Sequence, residues 1–204
     1  MYPGCATLPS LYAGLQAIDL DLATQAKAAG CPFCGGPLDY ARWTRKPRGC
    51  DDVPEAARVR HGLCCRREGC RRRVLPPSTL FLGRRVYWAA VVLMVVVVRQ
   101  RRLDGSSARK LRKMFGVTHG TLLRWASWFE TRFPASDRWR TLRGLVPATV
   151  RDADLPSSLL EVFDARLGPG GDAVTACLRL LASGAQARLA RGSPDTQKLP
   201  DFAS

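Results

Sequence analysis

The sequence predicts an α+β chain that is mainly α: a small β zinc ribbon, then a helical helix-turn-helix domain, then a short helical tail. Three observations carry this prediction. Cysteines occur in two dense groups, CPFCGG at 31–36 and CCRREGC at 64–70. A run of thirteen apolar residues, VYWAAVVLMVVVV, fills 86–98. Residues 107–134, SARKLRKMFGVTHGTLLRWASWFETRFP, show helical spacing on both sides of Gly116.

The boundaries follow from these features. Residues 1–29 form an N-terminal segment, 30–77 the ribbon, 78–135 the helical domain, 136–190 the helical tail and 191–204 a disordered C-terminus. MYPGCATLPS has no basic start followed by an apolar run, so no secretory signal is expected. A reducing, cytoplasmic compartment follows, in which cysteines serve as thiols or metal ligands rather than disulfides.

In the ribbon, Cys31-Pro-Phe-Cys34-Gly-Gly is one half of a four-thiolate site. Cys70 and one of the adjacent pair Cys64 and Cys65 supply the other half. Neighbouring strand residues point to opposite faces, so one of the pair binds. The shorter loop favours Cys65, with Cys64 as the alternative. His61 is a further candidate ligand, read instead as a surface or hydrogen-bonding residue. Cys5, Cys50 and Cys177 have no partner at ligand spacing. The expected ligands are therefore Cys31, Cys34, Cys65 and Cys70, around one structural Zn(II) per chain. Four thiolates leave no open coordination position, so this metal stabilises a fold rather than catalysing. LDYARWT (38–44) alternates like a half-buried strand, AARVRHGLC (56–64) is the return, RRRVL (71–75) is a third strand, and Pro76-Pro77 ends the unit.

In the helical domain, 84–102 reads as one buried helix, whose thirteen-residue apolar run 86–98 is too short for a membrane span of about 20 residues. Leu111, Met114 and Phe115 form the inner face of the next helix, and Gly116 ends it. Thr118 caps a last helix whose inner face is Leu122, Trp125, Phe129 and Phe133, before Pro134. This is helix-turn-helix spacing. Its outward residues for a major groove are Thr118, His119, Thr121 and Arg124, while Arg109, Lys110 and Lys113 on the preceding helix suit phosphates. Arg112 occupies the position where a small residue usually permits close helix crossing. In the tail, 158–168 and 175–185 read as two short amphipathic helices.

Charge agrees with this placement. The net charge is +15, and residues 84–143 hold fourteen basic and three acidic side chains while 144–204 hold six and seven. A positive field of this size points to a polyanion such as double-stranded DNA.

Taken together, CPFCGG, CCRREGCRRR followed by PPSTLFLGRRVYWAAVV, and GVTHGTLLRW resemble the N-terminal region of insertion-sequence transposases of the transposase zinc-ribbon type. The resemblance covers roughly residues 30–135. It implies a bacterial, nucleoid-associated protein whose ribbon and helix-turn-helix recognise transposon ends. In that family a later ribonuclease-H-like domain cuts DNA with three carboxylates. The acids after Pro134 lie among prolines, glycines and short helical stretches, so no nuclease or strand-transfer activity is expected and the chain is not read as an enzyme. A homodimer or a complex with a transposase partner is the assembly considered. The alternative function is a protein-interaction accessory subunit of a transposition or transcription complex.

Overall fold

The computed structural model describes residues 8–49, 53–81, 87–100, 109, 113, 115–168 and 172–183. The first element among the described residues is a helix, α1 (Leu8–Ala29), where the sequence reading places only a segment. Tyr12, Leu15, Leu22 and Ala23 form its buried stripe at helical spacing. Asp19 sits on the same stripe and is equally buried.

The ribbon follows as five short strands, β1 (Leu38–Tyr40), β2 (Trp43–Thr44), β3 (Val59–Arg60), β4 (Leu63–Cys65) and β5 (Arg73–Val74). They form two sheets. One has the order β1-β4-β5, all antiparallel, with Leu38 opposite Cys65 and Leu63 opposite Val74. The other pairs Trp43 with Arg60 and Thr44 with Val59. The expected strands 38–44 and 56–64 are therefore each broken. Gly62 marks the break, because the Trp43 ring and the Ala41 carbonyl press against its Cα, and a Cβ there would lie 2.8 Å from the Ala41 oxygen. The start of the second segment is a 3-10 turn, Glu55–Arg58, rather than strand.

Pro76–Phe81 is buried throughout and leads from the ribbon to α2 (Ala89–Gln100). That helix starts later than the expected Arg84. Tyr87 still bridges Arg48, and the Ala89 amide donates to the Leu80 carbonyl at 3.0 Å. Ala89 to Leu93 and Val95 to Val97 are all buried, so the apolar stretch is a core helix. No described helix is long and apolar enough to cross a membrane.

After the turn at Gly116 come α3 (His119–Ser127), a π-helical turn Trp128–Arg132, α4 (Asp137–Arg143), α5 (Ser157–Leu167) and α6 (Ala173–Ser183). The π turn closes with the Phe133 amide on the Trp128 carbonyl at 2.9 Å. It brings Trp128, Phe129 and Phe133 into mutual ring contact at centroid distances of 4.8 to 5.7 Å. Phe129 and Phe133 are buried as their spacing predicts.

The helices after Pro134 are not an appendage. α5 and α6 pack on each other and on α2, and α6 also touches α1. One apolar core runs from Tyr12 of α1 through Trp88, Trp125 and Trp139 to Leu181 of α6. A second, small core belongs to the ribbon: Cys31, Leu38, Leu63, Cys65 and Val74. The expected C-terminal disorder at 191–204 lies outside the described residues.

Candidate metal centre

Two hairpin tips build the site. In the first, the Cys31 amide donates to the Gly36 carbonyl at 2.8 Å and the Gly35 amide to the Cys31 carbonyl at 2.8 Å. In the second, the Cys65 amide donates to the Arg72 carbonyl at 2.9 Å and the Arg71 amide to the Arg67 carbonyl at 3.2 Å. In each tip the residue after the last cysteine is left-handed: Gly35 at φ 68° and Arg71 at φ 45°. That conformation turns the following amide back onto the sulfur. The backbone N–H groups of Gly36, Arg67 and Arg72 bond the sulfurs of Cys34, Cys65 and Cys70, each two residues downstream of its cysteine.

The sulfurs of Cys31, Cys34, Cys65 and Cys70 all lie within 4.8 Å of one another. Cys31 to Cys70 is 3.8 Å and Cys34 to Cys65 is 3.5 Å. Zn–S bonds of about 2.3 Å in a tetrahedron put sulfurs about 3.8 Å apart. The set therefore fits zinc in donor type, number and spacing, and it constitutes one structural Zn(II) site per chain. Space is also reserved for it. A Cβ on Gly36 would lie 3.3 Å from the sulfurs of both Cys34 and Cys65.

The thiols would ionise together only around a cation. The Gly36 amide lowers the Cys34 thiol to about 7. Burial pushes the Cys65 thiol up to about 12, and its three sulfur neighbours add to that. Four converging thiols resist joint ionisation unless a metal supplies the compensating charge.

The adjacent cysteines are resolved by strand alternation. Cys65 faces the ribbon core opposite Leu38, while Cys64 lies opposite Asp39 on the other face. The Cys64 sulfur makes a weak contact with the Arg71 carbonyl at 3.6 Å. His61 is neither in the cluster nor on the surface, in contrast to the surface or hydrogen-bonding role expected of it. It is 5% exposed, and both ring nitrogens lack a hydrogen-bond partner among the described residues. Cys177 is buried in the helical core, where burial raises its thiol. Cys5 and Cys50 lie outside the described residues.

Beside the ribbon, Phe115 and Val117 are buried around Gly116, which has φ 59°. The Tyr87 hydroxyl donates to the Gly116 carbonyl at 3.1 Å and fixes the turn. Thr118 caps α3, accepting from the Thr121 amide at 3.2 Å. Thr118, His119 and Arg124 are exposed on α3, opposite buried Leu122 and Trp125. Thr121 differs from the expectation that it points outward. It is 5% exposed, because its hydroxyl accepts from Thr118 and from the Arg124 guanidinium. Arg109 and Lys113 are helical and exposed, four residues apart. Lys110, Leu111, Arg112 and Met114 lie outside the described residues.

Sequence reasoning missed a buried polar joint. Asp19 of α1 accepts from the Thr79 amide at 2.6 Å, the Thr79 hydroxyl at 2.8 Å and the Ser78 hydroxyl. Arg60 of β3 donates to the Pro76 carbonyl and interacts electrostatically with Asp19. The only local signal was an acid on an otherwise apolar helical stripe.

These features define a metal-site protein of α+β architecture: a small β region built around four cysteines, joined to a largely helical body. No family model, curated protein or solved structure matches the chain.

Proposed function

We propose that the chain is a zinc-ribbon and helix-turn-helix protein that binds double-stranded DNA, is related to transposases, and has no catalytic activity of its own. One observation carries the reading. A capped helix, α3, follows a left-handed glycine turn and exposes Thr118, His119 and Arg124 while burying its other face. Such a helix suits the major groove, with Arg124 on a base edge or phosphate. Arg109, Lys110 and Lys113 would hold the backbone, and the net charge of +15 supplies the field. On this reading the protein is cytoplasmic, associated with a bacterial nucleoid, and acts as a homodimer or beside a transposase.

The test is a mobility-shift titration on duplex DNA at rising salt, with Arg124→Ala beside the unsubstituted chain. Affinity should fall linearly with log salt, by about 0.9 in slope for each phosphate neutralised. Absence of duplex binding, or affinity independent of salt, refutes the reading. Capture of a protein partner that survives nuclease and high salt would favour the accessory-subunit alternative instead.

A further inference from the structure

The two hairpin tips of the zinc site share an exposed, basic face that the α3 reading does not use. Phe33, between Cys31 and Cys34, is 52% exposed. The Arg72 guanidinium, from the other tip, stands 4.8 Å from its ring centroid. Arg67 donates to the Cys34 carbonyl at 2.9 Å, so it too spans the tips. Arg66 is held by Asp39 at 2.6 and 2.9 Å. Arg67, Arg72 and Arg73 make no ion pair with any described acid.

The charge exceeds what the metal centre needs. Residues 66–73 contain five arginines and one acid, Glu68, a net of four positive charges. Zinc with four thiolates carries two negative charges and Asp39 neutralises Arg66, which leaves a surplus of about one. Arg71 keeps a charged side chain at a left-handed position. It holds φ 45° where the first tip uses Gly35, although a left-handed non-glycine residue costs roughly 1 kcal/mol. The other aromatic of this sheet, Tyr40, is half-buried and occupied by Lys27 at 4.7 Å and Arg42 at 4.3 Å. Phe33 carries one such cation, Arg72, where Tyr40 carries two, and it is the more exposed ring.

An exposed ring amid unpaired arginines matches one polyanion better than others. Single-stranded nucleic acid offers base faces for stacking together with phosphates. A duplex shows its grooves only base edges, so Phe33 would have nothing to stack on. We infer that the Phe33–Arg72 face binds single-stranded nucleic acid, with Phe33 stacked on an unpaired base and Arg67, Arg71, Arg72 and Arg73 against its phosphates. The inference goes beyond the duplex reading and does not depend on it, because the two use different surfaces.

The experiment uses the full, zinc-loaded chain and fluorescence anisotropy with three probes: oligothymidylate and oligouridylate of about 16 nucleotides, and a blunt duplex. Phe33→Leu keeps an apolar residue and removes the π face. It should weaken oligothymidylate binding about tenfold or more, and Phe33→Trp should restore it. Arg72→Gln should reduce the salt slope by about 0.7, the value of one single-strand phosphate contact. Binding of either oligonucleotide with this Phe33 dependence supports the inference, and their ratio separates DNA from RNA. Zinc content is measured for each variant, and only variants with full zinc are compared. The inference falls if neither oligonucleotide binds, if zinc-loaded Phe33→Leu binds as the unsubstituted chain does, or if the duplex loses affinity equally. Arg124→Ala, tested on the duplex alone, reports on the other reading separately.

Discussion

Replacing Cys65 by serine, with Cys64→Ser as its twin, tests the metal centre most sharply, since the two positions are adjacent and only one sulfur enters the cluster. The ribbon core has three buried aliphatic side chains, Leu38, Leu63 and Val74. Each is worth roughly 2 kcal/mol. Ordering the two tips, Cys31 to Gly36 and Cys65 to Arg72, costs about 1.5 kcal/mol per residue, roughly 20 kcal/mol in all. A structural zinc contributes about 10–16 kcal/mol, the larger part of that cost, and the three aliphatic side chains lie on strands outside the tips and cannot replace it. Cys65→Ser should therefore lose zinc and the order of the tips together. Metal analysis of the purified chain should fall from about one zinc to near none. Hydrogen exchange should show lost protection at the Gly36, Arg67 and Arg72 amides, which bond the sulfurs. Cys64→Ser loses only weak sulfur contacts and should keep both metal and protection. Retained zinc in Cys65→Ser with loss from Cys64→Ser would refute the assignment.

Other expectations follow from single contacts. Gly62→Ala should lower the melting temperature by roughly 5–10 °C, because its Cβ meets Trp43 and the Ala41 carbonyl; Gly120→Ala on α3, with open space around it, should raise stability by about 0.5–1 kcal/mol. Asp19→Ala should cost about 3 kcal/mol in urea unfolding, since it strands the Ser78 and Thr79 donors and leaves buried Arg60 without its countercharge. Burial, and then Arg42, depress the His61 imidazole below its ordinary 6.5. Its neutral form therefore stabilises the fold fully above pH 6.5, and that stability is lost as pH falls from 6.5 toward the folded value. His61→Phe should flatten the difference in unfolding free energy between about pH 7.5 and pH 6, at up to about 1.4 kcal/mol per pH unit; an unchanged slope would show that His61 does not titrate.

The sequence was most legible where the chemistry is local. The Cys31–Cys34 pair, the left-handed turn at Gly116, the Thr118 cap and the helices α5 and α6 all depend on residues within a few positions of one another. Cys65 over Cys64 was readable as an alternation but not decidable, because which face of β4 points inward is set by Leu38 across the sheet. Helix α1 had a readable stripe, Tyr12, Leu15, Leu22 and Ala23. Asp19 interrupts it, and its partners Ser78 and Thr79 are 59 and 60 positions away. Gly62 reads as an ordinary residue of a strand, and only the fold brings Trp43 over it. Thr121 is exposed by helical phase alone, and its neighbours' hydroxyl and guanidinium bury it.

The buried joint explains how a small metal ribbon and a helical body can be held as parts of one chain. β5 runs directly into Pro76, whose carbonyl is bound by Arg60 of β3. Two residues on, Ser78 and Thr79 are bound by Asp19 of α1, and the Leu80 carbonyl receives the Ala89 amide at the start of α2. Within five residues the backbone is thus tied to the ribbon, to α1 and to α2. Losing the metal frees β5 on one side of that segment. The hydrogen bonds to Asp19 and Leu80 remain on the other, and their buried donors would have to be exposed before disorder passed further. Local unfolding of the ribbon should therefore stop at Pro76, leaving the core around Trp88 and Trp125 intact.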